Sequence, residues 1–238
     1  MSTVLITGAN RGLGFGLAEV YAADGWTVLA CCRAPKSATD LKALADSSKG
    51  NVTIHQVDVA DHASIDTLAA SLKGQPIDVL LNVAGYYGKH IVTEPGGLQE
   101  FGTSDYAEWD KIFRINVFSP MKMSEALIEN VAASKHKKLI TLSSILGSIG
   151  GNDMGKMYPY RASKAAVNAL MRSMSFDLKE KGITAVPLHP GWVRTEMGGP
   201  KADISPAESV NGMKKVIDGL TPADAGRFMA YDGSELPW

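Results

Sequence analysis

Seven short apolar segments alternate along the chain with six longer segments of helical periodicity. Alternation of this kind implies parallel strands joined by right-handed crossovers, with helices on both faces of the sheet. Strands that are apolar throughout fit a sheet covered on both sides. The sequence therefore predicts an α/β fold with a doubly wound parallel sheet of about seven strands. The predicted strands are 3–7, 27–32, 52–57, 77–83, 138–144, 183–189 and 226–231, and the predicted helices are 12–24, 38–48, 61–73, 105–132, 158–181 and 205–219.

Length and charge favour one ordinary globular domain over residues 1–238. The 238 residues suffice for a single well-filled core, and 45% of them are hydrophobic. The net charge of −1 gives no electrostatic reason to expect nucleic acid or a membrane as a partner. No apolar run is long enough to cross a bilayer, and the N-terminus enters a strand at once without a leader pattern. We expect a protein of the cytoplasm.

The two cysteines, Cys31 and Cys32, are adjacent in sequence. Neighbouring cysteines add no disulfide framework, so we expect two reduced thiols. The five histidines show no spacing typical of metal ligands, and the sequence predicts no metal site.

A glycine-rich turn, TGANRGLG, runs from Thr7 to Gly14 between the first predicted strand and the first predicted helix. Gly8 permits a tight turn, Gly12 lets the main chain approach a pyrophosphate, and Gly14 permits close helix packing. The helix N-terminus offers free N–H groups and the positive end of its dipole to phosphates. In this context the turn predicts a Rossmann-type dinucleotide site. Its predicted contacts are Gly8, Asn10, Arg11, Gly12, Leu13 and Gly14.

The residues after the second predicted strand favour NADP(H) over NAD(H). A carboxylate at this position accepts hydrogen bonds from the ribose hydroxyls of NAD and repels a 2′-phosphate. This chain instead has Arg33, directly after Cys32, and Arg11 lies inside the glycine turn. Two guanidinium groups near one ribose suit bidentate phosphate binding, although both arginines also fit a plain surface role.

Two tyrosines, Tyr158 and Tyr160, precede Lys164 in the segment YPYRASK. Lys164 lies four residues after Tyr160, one helical turn along the same face, whereas the residue four after Tyr158 is Ala162. A free phenol titrates near 10, so proton transfer near neutral pH needs its pKa lowered by about 3 units. An ammonium group at about 4 Å supplies about that much at an effective dielectric near 20. Tyr160 with Lys164 is therefore a candidate acid–base pair.

Six motifs occur together in an order and spacing that resemble the classical short-chain dehydrogenases/reductases. They are TGANRGLG, NVAG (82–85), RIN ending at Asn116, LSS (142–144), YRASK (160–164) and PGWVRT (190–195). The resemblance spans essentially the whole chain, and the motifs are jointly very specific. More narrowly, SSILGSI, YRASKAAVN, HPGWVRTEMGG and DGSELPW resemble the branch of C-factor and sniffer-type carbonyl reductases.

The resemblance implies four catalytic residues. Tyr160 matches the family's acid–base, and Lys164 matches the residue that lowers its pKa and holds the nicotinamide ribose. Ser144 matches the serine that hydrogen-bonds the substrate oxygen, and Asn116 matches the asparagine that keeps a water in the proton relay. In the implied reaction a hydride passes to the carbonyl carbon of an aldehyde or ketone, reversibly with the secondary alcohol, and Tyr160 supplies the proton.

The resemblance also implies further cofactor contacts. Asp58 matches a contact to the adenine ring, and Thr195 matches a contact to the nicotinamide carboxamide. The segment 82–85 matches a motif that lines the cofactor and braces the sheet. The predicted contacts outside the glycine turn are Arg33, Asp58, Val59, Asn82, Ala84, Gly85, Tyr160, Lys164, Pro190, Gly191, Val193 and Thr195.

Two departures from the family pattern leave alternatives open. The usual NNAG is NVAG here, so the bonds of the second asparagine must be made otherwise. Tyr160 lies sixteen positions after Ser144, a few more than the common spacing. Ser143 and, more distantly, Ser148 are therefore alternatives to Ser144.

Two other functions compete with carbonyl reduction. Enoyl reductases of the same superfamily separate tyrosine and lysine by seven residues, and the separation of four here argues against them. A catalytically idle NADP-binding regulator or signalling protein is the other alternative.

Family members commonly associate through the helices that carry Asn116 and Tyr160, which leaves a monomer, a homodimer or a homotetramer open. We further hypothesise that 197–206, with glycines before a predicted helix start, is a lid that orders on binding.

Overall fold

The computed structural model describes residues 1–238, with one seven-stranded sheet at its centre. The strands are β1 (Thr3–Thr7), β2 (Thr27–Cys32), β3 (Val52–Gln56), β4 (Val79–Asn82), β5 (Lys138–Leu142), β6 (Thr184–His189) and β7 (Met229–Ala230). Their order is β3-β2-β1-β4-β5-β6-β7, and every neighbouring pair is parallel. The chain starts near the centre, runs to one edge, returns and continues to the other edge. This order confirms the predicted doubly wound α/β fold.

The chain has seven α-helices, and six of them, all except the fourth, cover the two faces of the sheet. The seven are α1 (Gly12–Ala23), α2 (Thr39–Ser47), α3 (His62–Ser71), α4 (Tyr106–Phe113), α5 (Ser119–Ala132), α6 (Tyr158–Asp177) and α7 (Pro206–Gly219). Buried side chains of α1, α2 and α7 form one core with one face, and those of α3, α5 and α6 form a second core with the other. None of the helices combines the length and apolarity that a bilayer-spanning segment needs.

Successive residues of one strand enter opposite cores. In β1, Val4 and Ile6 pack into the core of α1, α2 and α7, whereas Leu5 packs into the core of α3, α5 and α6. The adjacent cysteines are divided in the same way, with Cys32 in the first core and Cys31 in the second. Both thiols are free and buried, because neighbouring side chains of a strand point to opposite faces. The structure has no group of three or more histidine, cysteine, aspartate or glutamate side chains placed to hold a metal ion.

The helix predicted over 105–132 is divided by a π-helical turn, Arg114–Phe118. Asp105 caps the first part, α4, through hydrogen bonds from two main-chain N–H groups. A π turn inserts an extra residue into a helix and often occurs at functional sites. Asn116 lies inside this turn, and its side chain is buried. The irregular turn therefore coincides with one of the four residues expected to be catalytic.

The last strand is shorter than the predicted 226–231, since only Met229–Ala230 pairs with β6. Gly226 adopts left-handed backbone (φ +77°), which an extended strand does not contain. After β7 the chain turns back, and the N–H group of Leu236 donates a hydrogen bond to the carbonyl of Phe228 at 2.7 Å. The final residues therefore pair with the outer side of β7 in place of a longer strand.

Candidate active site

Four buried polar side chains lie near one another at the carboxyl ends of the central strands. Ser144 follows β5, and Asn116 lies in the π turn. Tyr160 and Lys164 lie in the first two turns of α6. Each of the four is buried over more than nine-tenths of its surface. Open α/β sheets bind their ligands at this edge, so the structure places the four predicted catalytic residues where a ligand is expected.

The two tyrosines at the start of α6 have different surroundings. Tyr158 is 40% exposed and packs edge-on against the exposed ring of Phe101. Tyr160 is buried, and the Nζ atom of Lys164 lies 5.6 Å from the centre of its ring. Tyr160 and Lys164 lie on one face of α6, one turn apart, as their spacing predicts. The tyrosine that faces the buried site is Tyr160.

The three candidate serines have different hydrogen-bond partners. Ser144 lies beside Tyr160 and lowers the pKa of its phenol, and its Oγ atom accepts a hydrogen bond from the N–H group of Leu146 at 3.2 Å. Ser143 is buried and donates its hydrogen bond to a side chain of α6. Ser148 donates to the main-chain carbonyl of Trp238 at 3.2 Å. The geometry therefore favours Ser144 as the serine that acts with the tyrosine.

Burial governs the protonation of Tyr160 and Lys164, the candidate acid–base pair. Burial raises the pKa of Tyr160, the nearby Tyr87 adds to this rise, and a hydrogen bond with Ser144 opposes it. Burial also lowers the pKa of Lys164 to about 8. The Nζ atom of Lys164 donates to the carbonyl of Leu142 at 2.7 Å. The sequence predicts that Lys164 lowers the pKa of Tyr160, but in the structure burial of the phenol is the largest influence and raises that pKa.

The lowered pKa of Lys164 makes the free energy of unfolding depend on pH. Its amine titrates near 10.5 in an unperturbed chain and near 8 in the folded protein. Between these values the unfolded chain binds the extra proton, so the contribution of this group to stability rises with pH. We expect the native protein to gain on the order of 1–2 kcal/mol relative to Lys164→Met between about pH 7.5 and about pH 9.5. Urea unfolding at both pH values measures this gain, and a difference that stays constant would contradict it.

The side chain of Asn116 ties the loop after β4 to α6. Its Oδ1 atom accepts a hydrogen bond from the N–H group of Tyr86 at 2.8 Å, and its Nδ2 atom donates to the carbonyl of Tyr86 at 2.8 Å. The Nδ2 atom also donates to the hydroxyl group of Ser163, the neighbour of Lys164, at 3.0 Å. Both N–H donors of this side chain therefore bond to protein atoms. The structure assigns Asn116 a positioning contact in addition to the water-holding role that the resemblance implies.

The glycine turn has the geometry of an anion site. Gly8 (φ +69°) and Gly12 (φ +56°) adopt left-handed backbone, which glycine takes without strain. A Cβ atom on Gly12 would meet nothing within 4 Å, so the main chain there is open to a ligand. A Cβ atom on Gly14 would overlap the carbonyl of Gly8, so α1 packs directly on the turn. The side chain of Arg11 at the N-cap makes no capping hydrogen bond to α1. The first N–H groups of the helix are therefore available to a pyrophosphate.

Thr7 supports the segment in which valine replaces the usual second asparagine. Its Oγ1 atom accepts hydrogen bonds from the N–H groups of Val83 at 2.9 Å and Ala84 at 3.1 Å. Asn82 donates to the hydroxyl group of Thr141 on β5 at 3.3 Å, and its buried Oδ1 atom has no protein partner. The main chain after β4 is therefore held by β1, without any contribution from a side chain at position 83.

The other predicted cofactor contacts lie at the carboxyl ends of neighbouring strands. Arg33 follows β2, and its exposed guanidinium group makes no hydrogen bond or ion pair. Asp58 follows β3 and accepts a hydrogen bond from the N–H group of Ala60 at 3.0 Å. A Cβ atom on Gly85 would lie 3.9 Å from the Nζ atom of Lys164, so the end of β4 borders the acid–base pair. The remaining contacts are Asn10 and Leu13 in the glycine turn, Val59 after β3, and Pro190, Gly191, Val193 and Thr195 after β6.

The segment expected to act as a lid is part of a folded loop after β6. The indole of Trp192 donates to the carbonyl of Gly198 at 2.9 Å, and Val193 pairs with Ile204 in a short bridge. Arg194 donates to two carbonyls of the same loop at 3.0 and 2.7 Å. These contacts close the loop on itself beside the site. Ordering of this segment on ligand binding stays a prediction.

Tyr87 and Gly147 contact the candidate acid–base pair, although neither is among the predicted catalytic or cofactor-binding residues. The ring centre of Tyr87 lies 4.8 Å from that of Tyr160, and its hydroxyl group donates to the carbonyl of Gly97 at 2.7 Å. A Cβ atom on Gly147 would lie 2.7 Å from the carbonyl carbon of Lys164. Tyr87 is 73 positions from Tyr160 in the chain, and Gly147 is 17 positions from Lys164. No spacing rule within a motif points to them.

The chain is similar to known proteins in both sequence and structure. A family model described as short chain dehydrogenase matches residues 2–204. The C-signal protein of Myxococcus xanthus is 42% identical over 163 residues, which cover 68% of this chain and 93% of that protein. The structure of NADPH-bound carbonyl reductase from chicken fatty liver has a TM-score of 0.89 and 33% identity, covering 100% of this chain and 99% of that one. Carbonyl reductase Sniffer of D. melanogaster has a TM-score of 0.89 and 32% identity, with 100% of both chains covered. The chain therefore belongs to the short-chain dehydrogenase/reductase family, in the branch of C-factor and sniffer-type proteins.

Proposed function

We propose that this protein is an NADPH-dependent carbonyl reductase, which converts an aldehyde or ketone to the alcohol and runs reversibly with the secondary alcohol. The observation that carries the proposal is the buried group of Ser144, Tyr160 and Lys164 beside the glycine turn. The chicken protein with which the chain shares 33% of its sequence is described as an NADPH-bound carbonyl reductase. That relationship supports the same chemistry here.

The glycine turn and the acid–base pair are connected through the end of β4. A Cβ atom on Gly8 would lie 3.1 Å from the main chain of Ala84, and one on Gly85 would lie 3.9 Å from the Nζ atom of Lys164. These small residues would leave room for a dinucleotide between the glycine turn and Lys164. When bound, NADPH supplies the hydride. In this proposal the turn holds the phosphates, Lys164 holds the nicotinamide ribose and Thr195 holds the carboxamide.

Two arginines support the choice of NADPH over NADH. Arg33 stands at the end of β2, where a carboxylate would favour NAD, and its guanidinium group is exposed and unpaired. Arg11 lies in the glycine turn at the start of α1. Planar guanidinium groups bind phosphate through paired hydrogen bonds, so these two residues are our candidates for the 2′-phosphate.

Ser144 and Tyr160 act on the substrate oxygen in this proposal. Their hydroxyl groups adjoin each other in the buried site, so one carbonyl oxygen can accept a hydrogen bond from both. As the carbonyl carbon gains a hydride, its oxygen becomes an alkoxide and takes the proton from Tyr160. A phenol is protonated at neutral pH even without a raised pKa, so Tyr160 can donate its proton to an alkoxide in the reducing direction. Lys164, with a pKa of about 8, is placed one turn away to return the proton.

A regulatory or signalling protein with little turnover is the second candidate function. The observation that favours it is the 42% identity to the C-signal protein of Myxococcus xanthus. A chain that needs only to bind NADP has no use for Ser144 and Tyr160 paired in a buried site. Carbonyl reduction is therefore the function that the geometry supports best.

The proposal is tested by following absorbance of the reduced nicotinamide with NADPH and NADH in parallel. The panel of substrates contains aldehydes, ketones and diketones. We expect carbonyl-dependent oxidation of NADPH, with kcat/KM for NADH lower by about tenfold or more because the 2′-phosphate contacts are lost. Tight NADPH binding without turnover on any carbonyl would instead favour the regulatory function. Equal use of both coenzymes would contradict the assignment of Arg11 and Arg33.

A further inference from the structure

One contact crosses from the loop after β6 to the glycine turn. The guanidinium group of Arg11 forms an ion pair with the carboxylate of Glu196. Both side chains are exposed, at 71% and 73% of their surface. These two residues are 185 positions apart in the chain, so the pair links two separate walls of the expected coenzyme cleft.

Arg11, which forms this ion pair, is also one of the two arginines that we propose bind the 2′-phosphate. Arg33, the other candidate, has a guanidinium group without any partner. A guanidinium group offers the same N–H donors to a carboxylate and to a phosphate. A 2′-phosphate that binds Arg11 therefore has to displace Glu196 or bind beside its negative charge.

We propose that Glu196 is a coenzyme-specificity residue that competes with the 2′-phosphate of NADPH for Arg11. The inference rests on the proposed function, since it takes NADPH as the coenzyme. Glu196 weakens binding of NADPH and leaves binding of NADH almost unchanged, because NADH has no 2′-phosphate to displace it. Binding of NADPH also releases the loop after β6 from the glycine turn, since both contacts use one guanidinium group.

The surroundings of the pair make this exchange easy. Exposed ion pairs contribute little to stability, so a doubly charged phosphate displaces the carboxylate at low cost. The loop does not unfold when Glu196 is released, because Trp192, Val193 and Arg194 hold it by contacts within the loop. The effect is therefore confined to coenzyme affinity.

The test compares dissociation constants for NADPH and NADH, measured by titration of reduced-nicotinamide fluorescence. We expect Glu196→Gln to lower the Kd for NADPH about fivefold and to change the Kd for NADH less than about twofold, and the change for NADPH shrinks in roughly 0.5 M salt. Asp203→Asn is the matched control, because it removes one exposed carboxylate from the same loop. It is expected to change neither constant.

A double-mutant cycle separates competition from a general charge effect. In an Arg11→Met background, Glu196→Gln is expected to have no effect on the Kd for NADPH, because the shared partner is gone. A Kd for NADPH that is unchanged or raised in Glu196→Gln would overturn this inference and leave the proposed function standing. A native protein that binds neither coenzyme would overturn both.

Discussion

Replacing Tyr160 with phenylalanine is expected to lower kcat for carbonyl reduction by about 10²–10⁴-fold, the range typical of a lost acid–base group. The variant keeps the ring, which packs against Tyr87 and Met157, and loses only the hydroxyl group. Without that group the alkoxide has no proton donor, and the substrate oxygen loses one of its two hydrogen bonds. The measurement is turnover of NADPH with a carbonyl substrate at saturating concentrations.

Tyr158→Phe is the matched control, since it makes the same chemical change two residues away at an exposed position. We expect native turnover from it. Urea unfolding should give both variants a free energy of unfolding within about 1 kcal/mol of the native value, which excludes misfolding as the cause. Turnover that survives in Tyr160→Phe and disappears in Tyr158→Phe would reverse the assignment.

Replacing Gly147 with alanine is expected to damage both stability and turnover. Gly147 ends a short 3-10 turn that starts just after Ser144, and it packs on the main chain of α6 at Lys164. A Cβ atom there would lie 2.7 Å from the carbonyl carbon and 2.9 Å from the Cβ atom of Lys164. Neither is the free end of a flexible side chain, so α6 or the turn must move. We expect a loss of about 1–3 kcal/mol in the free energy of unfolding.

The same movement separates Ser144 from the acid–base pair. Misplacement by about 1 Å costs up to about 10²-fold in rate, so we expect kcat to fall by about 10- to 100-fold. Gly219→Ala is the control, because Gly219 ends α7 and a Cβ atom there would meet nothing within 4 Å. That variant is expected to retain native turnover. A Gly147→Ala protein with native stability and native kcat would contradict the close packing of the turn on α6.

The parts of the structure that could be predicted from the sequence depend on local spacing. Apolar runs and helical periods are local patterns, and they predicted the sheet and the helices on both of its faces. The four-residue spacing of Tyr160 and Lys164 is also local, and it placed both on one face of α6. The glycine turn is also a local feature that the sequence predicts, because its three glycines lie within one strand–turn–helix unit.

The parts that could not be predicted depend on contacts between distant segments. Thr7 supports the main chain at Val83, and Arg11 meets Glu196, only after the strands have assembled side by side. The pKa of Tyr160 is another case, since a spacing rule includes the charge of Lys164 but not the burial that opposes it. The segment Arg114–Phe118 contains no glycine or proline that would mark a break, so the sequence predicts one unbroken helix through the π turn at Asn116.

The division of Cys31 and Cys32 between the two cores gives the protein a chemical reporter for each layer of helices. Burial raises the pKa of both thiols, so in the folded state neither is a reactive thiolate. A thiol-modifying reagent therefore reacts only when the covering helices open. Cys31 reports opening of the layer formed by α3, α5 and α6, and Cys32 reports opening of the layer formed by α1, α2 and α7. Labelling rates of the two single-cysteine proteins distinguish global unfolding from the detachment of one layer alone.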